Sequence, residues 1–299
     1  MSNIDVEALS IPVRTPRLER QIFEIRALKN LLLTGLTWLA ALLAAVPLFS
    51  VIYMLMVHGG ARLDWEALTA LPPAGFEMGG GFGNAILGTV VMVAISAAIS
   101  VPVGVLAAVY LATIGSGTRL AHAAHFLSKV LTGFPSILAG VFAYATVVLW
   151  MGSYSAWAGG IALAVLMLPT VTLAAEEAMR QVPQRMKDAA YGMGCTHSQV
   201  IWKVVLPTSL PGVLTGVILA VAGAAGESAP LLFTALFSNY YLSELSEPTA
   251  SLSILIYNFS GMPFENQIEL AWAASLVLVL IVLVFNVLAR VIGRPKFQV

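Results

Sequence analysis

The chain has 299 residues, of which 59% are hydrophobic and 10% are charged. Soluble domains usually carry about 25% charged residues, so this composition indicates an integral membrane protein and argues against a soluble globular domain. The formal net charge of zero gives no sign of a nucleic-acid partner. The single cysteine, Cys195, excludes an intramolecular disulfide and a metal site of four cysteines.

The predicted elements are membrane-spanning helices, found as long stretches without charged residues. A span needs roughly 20 largely apolar residues, because the hydrocarbon core is about 30 Å thick. Residues 1–29 are polar, contain no secretory signal and form a predicted cytoplasmic segment. Six predicted spans follow, at about residues 30–57, 84–112, 128–150, 157–175, 204–237 and 270–289. The predicted fold is all-α, a polytopic membrane helix bundle.

The placement of basic residues predicts the orientation of these spans. Lysine and arginine favour the cytoplasmic side of a membrane. With six spans, every one of the 15 lysines and arginines except Arg62 falls on the side of the two chain ends. The pattern therefore predicts a multi-pass membrane protein with both termini in the cytoplasm.

Four prolines lie in or near the predicted spans: Pro102, Pro135, Pro169 and Pro230. Each removes a backbone donor and frees a carbonyl group. Within a membrane such breaks persist where protein or a watery cavity satisfies the backbone. The prolines therefore indicate either a functional interior surface or ordinary kinks for packing.

The longest predicted cytoplasmic loop is the polar segment 176–207. Its first part is predicted to be a helix with an apolar face formed by Met186, Ala189, Ala190 and Met193. Gly192 and Gly194 interrupt this helix, and a second short helix is predicted from about residue 196 to 205. Such a helix–turn–helix suits docking into a groove on another protein, or equally a position on the membrane surface or on its own bundle.

This loop resembles the cytoplasmic signature of ATP-binding-cassette (ABC) importer permeases. The matching positions are Asp188-Ala189-Ala190, three residues, Gly194, nine residues, Val204, one residue, and Leu206-Pro207. The resemblance implies that this segment is a coupling helix seated in a cleft of an ATPase subunit. The residue types suit that role, since alanines allow close approach, a carboxylate can pair with a basic group, and glycine permits a sharp turn.

Two further motifs resemble the phosphate-importer permeases within that class. They are Gly133-Phe134-Pro135-Ser136-Ile137-Leu138-Ala139-Gly140 and Gly226-Glu227-Ser228-Ala229-Pro230-Leu231-Leu232-Phe233-Thr234-Ala235, the second typical of the A-type subunit. The resemblance covers residues 82–292 and implies a type I ABC importer permease domain. It implies a translocation pathway at Gly133, Pro135, Ser136, Glu227, Ser228 and Pro230.

The chain departs from this group at two positions. Gly223 and Leu173 stand where arginines are often found, so no predicted span contains an arginine. Phosphate contacts are then expected from hydroxyls, backbone amides or a partner subunit. The same departure leaves molybdate, tungstate or sulfate open as the transported oxyanion.

Glu227 is the only acidic residue within a predicted span. Charged groups in a membrane usually face the bundle interior and serve function. Glu227 is expected to gate the pathway, to pair with an arginine of a partner permease or to cap a broken helix. The alternative is that the fifth helix ends early and places Glu227 near the outer interface.

Other polar residues give weaker indications. The hydroxyls of Thr132, Ser136, Ser228 and Thr234 could bind an oxyanion, although membrane serines and threonines more often bond their own helix. His122 and His125 have the spacing of a metal pair, but no nearby cysteine or acidic residue in the sequence supports a metal. No phosphate-binding Gly-x-x-x-x-Gly-Lys-Ser/Thr motif is present, so no ATPase activity and no cofactor are predicted.

The resemblance thus implies the permease subunit of an ATP-driven phosphate importer in the lipid bilayer. Its implied partners are a second similar permease, two ATP-binding subunits and a periplasmic or lipid-anchored phosphate-binding protein. An ion-coupled secondary transporter is a weaker alternative, because such proteins typically need several intramembrane ionisable groups or inverted repeats. A membrane enzyme is disfavoured, since no catalytic constellation is visible.

Overall fold

The structure, a computed structural model, describes residues 25–293, and no strand occurs among them. The predicted segment 1–29 therefore lies largely outside the described residues. Contacts divide the chain into two units at residue 53. The first unit contributes helix α1, Ile25–Met54, which begins five residues before its predicted start.

The second unit is a set of helices joined by short loops. They are α2 (Trp65–Thr69), α3 (Gly83–Val109), α4 (Arg119–Thr132), α5 (Ser136–Ala143), α6 (Leu149–Met151), α7 (Ala156–Arg180), α8 (Gln184–Gly192), α9 (His197–Val200), α10 (Leu206–Gly226), α11 (Ala229–Leu232), α12 (Leu252–Ser260) and α13 (Glu265–Ile292). Single π-helical turns, Leu55–Gly59, Tyr110–Ile114, Tyr144–Val148 and Ile201–Val205, extend α1 and α3 and connect α5 to α6 and α9 to α10.

Within residues 25–293, five continuous helices are long and apolar enough to span a membrane. They are Ile25–Gly59, Gly83–Ile114, Ala156–Arg180, His197–Gly226 and Glu265–Ile292. A sixth span exists if the bent pair Arg119–Thr132 and Ser136–Met151 counts as one. The predicted bundle of six spans is confirmed on that count.

The third predicted span, 128–150, is wrong as a single straight helix. Helices α4 and α5 meet at an angle of 106°. The break falls at Gly133–Pro135, where Pro135 cannot donate a helical hydrogen bond and disfavours helical backbone in the residue before it. By contrast, Pro102 and Pro169 lie inside α3 and α7 without ending them.

The fifth predicted span, 204–237, also needs correction. Helix α10 ends at Gly226 because Glu227 adopts an extended backbone, as the alternative of an early end to this helix predicts. Between the fifth and sixth predicted spans, where no helix was predicted, lies α12. Leu252, Leu255 and Phe259 of α12 are buried against α13 and the start of α3.

The helices of the core pack closely through small residues. A Cβ at Gly212 or Gly216 of α10 would come within 2.9 or 2.4 Å of Ala178 or Ala174 of α7. Gly104 of α3 faces Val171 of α7 in the same way. Lipid tails are as apolar as the helices, so this close van der Waals contact stabilises the bundle. Helix α7 is therefore the central element against which the candidate site is built.

Candidate translocation and coupling sites

The two motifs assigned to the pathway meet in space. Helix α5 carries the end of the first motif, and α11 carries the second. A Cβ at Gly140 would lie 2.7 Å from the Cα and 3.0 Å from the carbonyl oxygen of Pro230. Gly140 and Pro230 are both buried. The structure thus brings together residues that are 90 positions apart in the sequence.

The residues before this contact form the bend between α4 and α5. Gly133 directly follows α4, and Pro135 directly precedes α5. Ser136 is the first residue of α5, is half-buried, and its hydroxyl has no hydrogen-bond partner among residues 25–293. The hydroxyl of Ser136 is therefore free to contact a ligand, whereas Gly133 and Pro135 shape the backbone.

Glu227 lies at the break between α10 and α11. Its amide donates to the Ala224 carbonyl over 3.3 Å, and its own carbonyl accepts a 2.8 Å hydrogen bond from the Ser253 hydroxyl. The side chain is half-buried, and its carboxylate has no hydrogen-bond partner in the described part of the chain. The backbone of Glu227 is thus fixed while its charge is left available.

The remaining candidate hydroxyls divide into free and bonded groups. The Ser228 hydroxyl makes no hydrogen bond within residues 25–293, and Ser228 directly precedes α11. Thr234 is fully buried and donates to the Pro230 carbonyl over 2.8 Å. Thr132 donates to the Ser128 carbonyl over 2.9 Å. Ser136 and Ser228 therefore remain candidates, while Thr132 and Thr234 bond their own helices.

Leu173 and Gly223 lie on two packed helices, α7 and α10. Leu173 is half-buried, and Gly223 is exposed with no atom within 4 Å of the position of a Cβ. The arginines of α7 and α13, Arg180 and Arg290, lie instead in the last turns of these helices. Helix α7 continues five residues beyond the predicted end of the fourth span at residue 175, and Arg180 lies in that extension.

The segment 184–205 forms the predicted helix–turn–helix. Helix α8 ends at Gly192, and Gly194 has a φ of +83°, in the left-handed region. Thr196 and Gln199 form a capping box that starts α9. The Tyr191 hydroxyl and His197 Nδ1, 2.7 Å apart, join the two helices across the turn.

One side of this helix–turn–helix is anchored and the other is open. Ala190, Val200 and Val205 are buried with Met179 and Val182. Three of the four residues predicted to form one apolar face, Met186, Ala189 and Met193, are exposed. Met193 is exposed by 79%. The single predicted face is therefore split, with Ala190 directed to the bundle and the three others outward.

The remaining residues of the ABC-permease signature lie partly on the exposed side of the helix–turn–helix and partly on its buried side. Asp188 is exposed, and its carboxylate accepts a 2.9 Å hydrogen bond from Gln184. Val204 is half-buried in the π-helical turn, and Leu206 and Pro207 begin α10. Pro207 does not interrupt the helix, since His197–Gly226 is continuous.

Glu176 is a polar residue of the bundle that sequence reasoning missed. It is only 2% exposed, in the last turns of α7. Its Oε1 accepts from Arg180 Nε at 2.9 Å, and its Oε2 lies 2.9 Å from His125 Nδ1. Arg180 also donates to the Leu111 carbonyl at 3.4 Å. Glu177, beside it, is exposed and bonded to Gln181, so only the burial distinguishes the two glutamates.

The contact between Glu176 and His125 corrects the inference that no acidic residue lies near this histidine. An acidic group does lie beside that histidine, although 51 residues separate them in the sequence. No group of three or more metal-binding side chains occurs within residues 25–293. The contacts among Glu176, His125, Arg180 and the Leu111 carbonyl tie α4 and the end of α3 to α7.

Replacing Glu176 with alanine is expected to destabilise the chain by about 1–3 kcal/mol, the usual cost of orphaning buried hydrogen-bond partners. Arg180 and His125 are partly exposed, and water compensates for part of the loss. Thermal unfolding in detergent measures the effect. The matched control is Glu177→Ala, which should change stability by no more than about 0.5 kcal/mol. Equal effects of the two substitutions would contradict a structural role for Glu176.

A family model describing the "Binding-protein-dependent transport system inner membrane component" matches residues 100–296 of this sequence. The chain belongs to the family of binding-protein-dependent transport system inner membrane components. The matched range includes both pathway motifs and the whole helix–turn–helix. The members of this permease family are subunits of ABC importers, which work with ATPase and substrate-binding partners.

Relatives of the chain are similar over nearly its full length. It is 37% identical to the phosphate transport system permease protein PstA of Pasteurella multocida, covering 92% of this chain and 98% of that one. It is 36% identical to a probable PstA of Methanocaldococcus jannaschii, covering 89% and 94%. The chain thus resembles PstA more specifically than the permease family as a whole.

Solved structures show the same fold. The bacterial alginate ABC transporter in complex with an alginate-bound periplasmic protein matches with a TM-score of 0.65 and 16% identity, covering 94% of this chain and 100% of that chain. The inward-facing MetNI methionine transporter matches with a TM-score of 0.55 and 21% identity, covering 73% and 95%. The predicted fold of a type I ABC importer permease is confirmed.

Proposed function

We propose that the chain translocates inorganic phosphate across the inner membrane as the permease subunit of an ATP-driven importer. The observation that supports phosphate is the full-length similarity to proteins named phosphate transport system permease protein PstA. ATP hydrolysis belongs to separate subunits, and the chain needs no cofactor. Both termini face the cytoplasm, as the distribution of lysine and arginine predicts.

The partners of this proposal follow the same similarity. A second homologous permease, PstC-like, completes the pathway. Two ATP-binding subunits, PstB-like, dock at the coupling segment around Asp188, Ala189, Ala190 and Gly194. A periplasmic or lipid-anchored phosphate-binding protein, PstS-like, delivers the anion at the opposite side.

The helix arrangement supports a mechanical link between coupling segment and pathway. The continuous helix His197–Gly226 has 30 residues, about 45 Å of rise. One end begins at the capping box beside Gly194, and the other ends directly before Glu227. A displacement of α9 by an ATPase therefore moves the end of α10 and the α11 segment that contacts Gly140.

The pathway groups of this proposal are hydroxyls and one carboxylate rather than arginines. Ser136 and Ser228 offer free hydroxyl donors at the starts of α5 and α11. Glu227 gates the passage or pairs with a basic group of the partner permease, since a carboxylate is a poor direct ligand for an anion. The presence of Leu173 and Gly223 favours one second candidate, a permease for molybdate, tungstate or sulfate.

The substrate is tested in the assembled complex. The chain is reconstituted with its partner permease, ATPase subunits and binding protein, and ATP hydrolysis is measured with phosphate, sulfate or molybdate. Stimulation by phosphate alone is expected. Stimulation by sulfate or molybdate but not by phosphate would establish the second candidate and remove the first.

The Glu227→Gln substitution is expected to reduce uptake by roughly tenfold or more while leaving stability unchanged. A tenfold change corresponds to about 1.4 kcal/mol. The carboxylate has no partner in the described structure, whereas the Ser253 bond reaches the backbone and survives the substitution. Uptake into proteoliposomes and the thermal midpoint are compared with those of Glu244→Gln, an exposed loop control. Unchanged uptake in Glu227→Gln would exclude a role of this charge in the pathway.

A further inference from the structure

A basic cavity lies between α4 and the end of α7, away from the pathway motifs. Its volume is about 440 Å³, within the usual range of small-ligand sites. Four lining residues carry basic nitrogen groups: His122, His125, Lys129 and Arg180. His122, His125 and Lys129 recur at intervals that place them on one face of α4. The proposed transport mechanism uses none of these four residues.

The charge of the cavity is available to a ligand. Glu176 is the one carboxylate among its lining residues, and both of its oxygens are occupied by Arg180 and His125. Lys129 is exposed and forms no hydrogen bond or ion pair within residues 25–293. His122 binds the Thr118 carbonyl through Nδ1 at 2.8 Å, which leaves Nε2 unused. Lys129 and Arg180 carry two positive charges against the single carboxylate of Glu176, so the cavity is net positive.

The position of α4 places this cavity at the level of lipid headgroups. Ser136–Met151, the second part of the bent pair, is 16 residues or about 24 Å long, most of the thickness of the hydrocarbon core. Because α4 meets it at 106°, α4 runs nearly at a right angle to that span. Leu120 and Leu127 of α4 are exposed by 65% and 58%, on the face opposite its basic residues. Such an amphipathic helix lies in the membrane interface, and basic pockets between helices there bind anionic headgroups.

We infer that this α4–α7 cavity binds a phosphate group, supplied either by the headgroup of an anionic phospholipid or by free inorganic phosphate. In both cases the oxyanion contacts Lys129, His122 and the unused donors of Arg180. The inference requires that the bundle is embedded in a membrane, and it does not depend on which anion is transported.

The test uses the full-length chain in nanodiscs, with two arms that separate the sources. In the first arm, native mass spectrometry measures the retention of phosphatidylglycerol against phosphatidylcholine, without free phosphate. In the second arm, phosphatidylcholine nanodiscs are titrated with inorganic phosphate and followed by ³¹P NMR. Lys129→Gln is compared with Arg119→Gln, because both remove one exposed charge from α4 but Arg119 does not line the cavity.

Lys129→Gln is expected to weaken binding in one arm by roughly tenfold, the loss that follows when one hydrogen bond between charged groups is removed. The arm that responds identifies the source, and Arg119→Gln should leave both arms unchanged. His122→Gln is a second variant that should lower the same binding. Equal effects of Lys129→Gln and Arg119→Gln, or no effect in either arm, would overturn the inference. No ATP, ATPase or binding protein is present, so failure here is distinct from failure of the transport assignment.

Discussion

Substituting Gly140 with valine is expected to abolish uptake and to lower the thermal stability of the chain. Even a Cβ at this position lies 2.7 Å from the Cα of Pro230. The contacted atoms are backbone, and Pro230 is buried with a fixed φ, so the neighbour cannot move aside. Overpacking of this kind costs about 1–3 kcal/mol. Since it separates α5 from α11, both pathway motifs are displaced.

The control for this substitution is Gly60→Val. Gly60 has a helical φ of −67°, and no atom lies within 4 Å of the position of its Cβ. The same side chain is therefore added where space is open. Uptake by the reconstituted complex and the thermal midpoint are measured for both variants. A Gly140→Val protein that behaves like Gly60→Val would show that the α5–α11 contact does not limit function.

Substituting Gly194 with valine is expected to weaken association with the ATPase subunits by roughly 5- to 30-fold. Gly194 adopts a φ of +83°, and a left-handed backbone costs a residue with a side chain about 1–2 kcal/mol. No atom lies within 4 Å of its Cβ position, so the cost is conformational and not a clash. The turn between α8 and α9 then opens, and the exposed residues Asp188, Ala189 and Met193 change position relative to α9.

Gly192→Val tests whether the conformation matters rather than the added bulk. Gly192 lies at the end of α8, two residues away, and also has open space at its Cβ position. Affinity for the purified ATPase is measured with each variant in nanodiscs, and membrane insertion is checked separately. Equal losses for Gly192→Val and Gly194→Val would mean that the surface tolerates no side chain there, against a specific role of the turn.

The fold was largely predictable because its signals are local. A charge-free stretch of sufficient length is a span whatever surrounds it, and α3, α7 and α13 accordingly lie where they were predicted. The turn at Gly194 was also predictable, since the glycine and the cap at Thr196 are neighbours in sequence. The break at Pro135 was not predictable in this way, and the end of α10 at Gly226 was predicted only as an alternative. Pro102 and Pro169 show that proline alone does not determine whether a membrane helix ends.

The parts of the site that depend on distant residues could not be read from the sequence. Glu176 looks like the equally charged Glu177, and only the folded chain reveals that it is buried beside His125. Helix α12 was hidden because its nine residues are too short for a span and lie within a polar segment. The approach of Gly140 to Pro230 likewise depends on the packing of α5 and α11. The pathway roles of Ser136, Glu227 and Ser228 remain predictions.

The most direct test of the account is uptake of radiolabelled phosphate into proteoliposomes. The chain is assembled with its partner permease and loaded binding protein, with or without the ATPase subunits. We predict accumulation of phosphate only when ATPase and ATP are both present. Phosphate uptake at the same rate without any ATPase subunit would contradict the assignment as the permease of an ATP-driven importer.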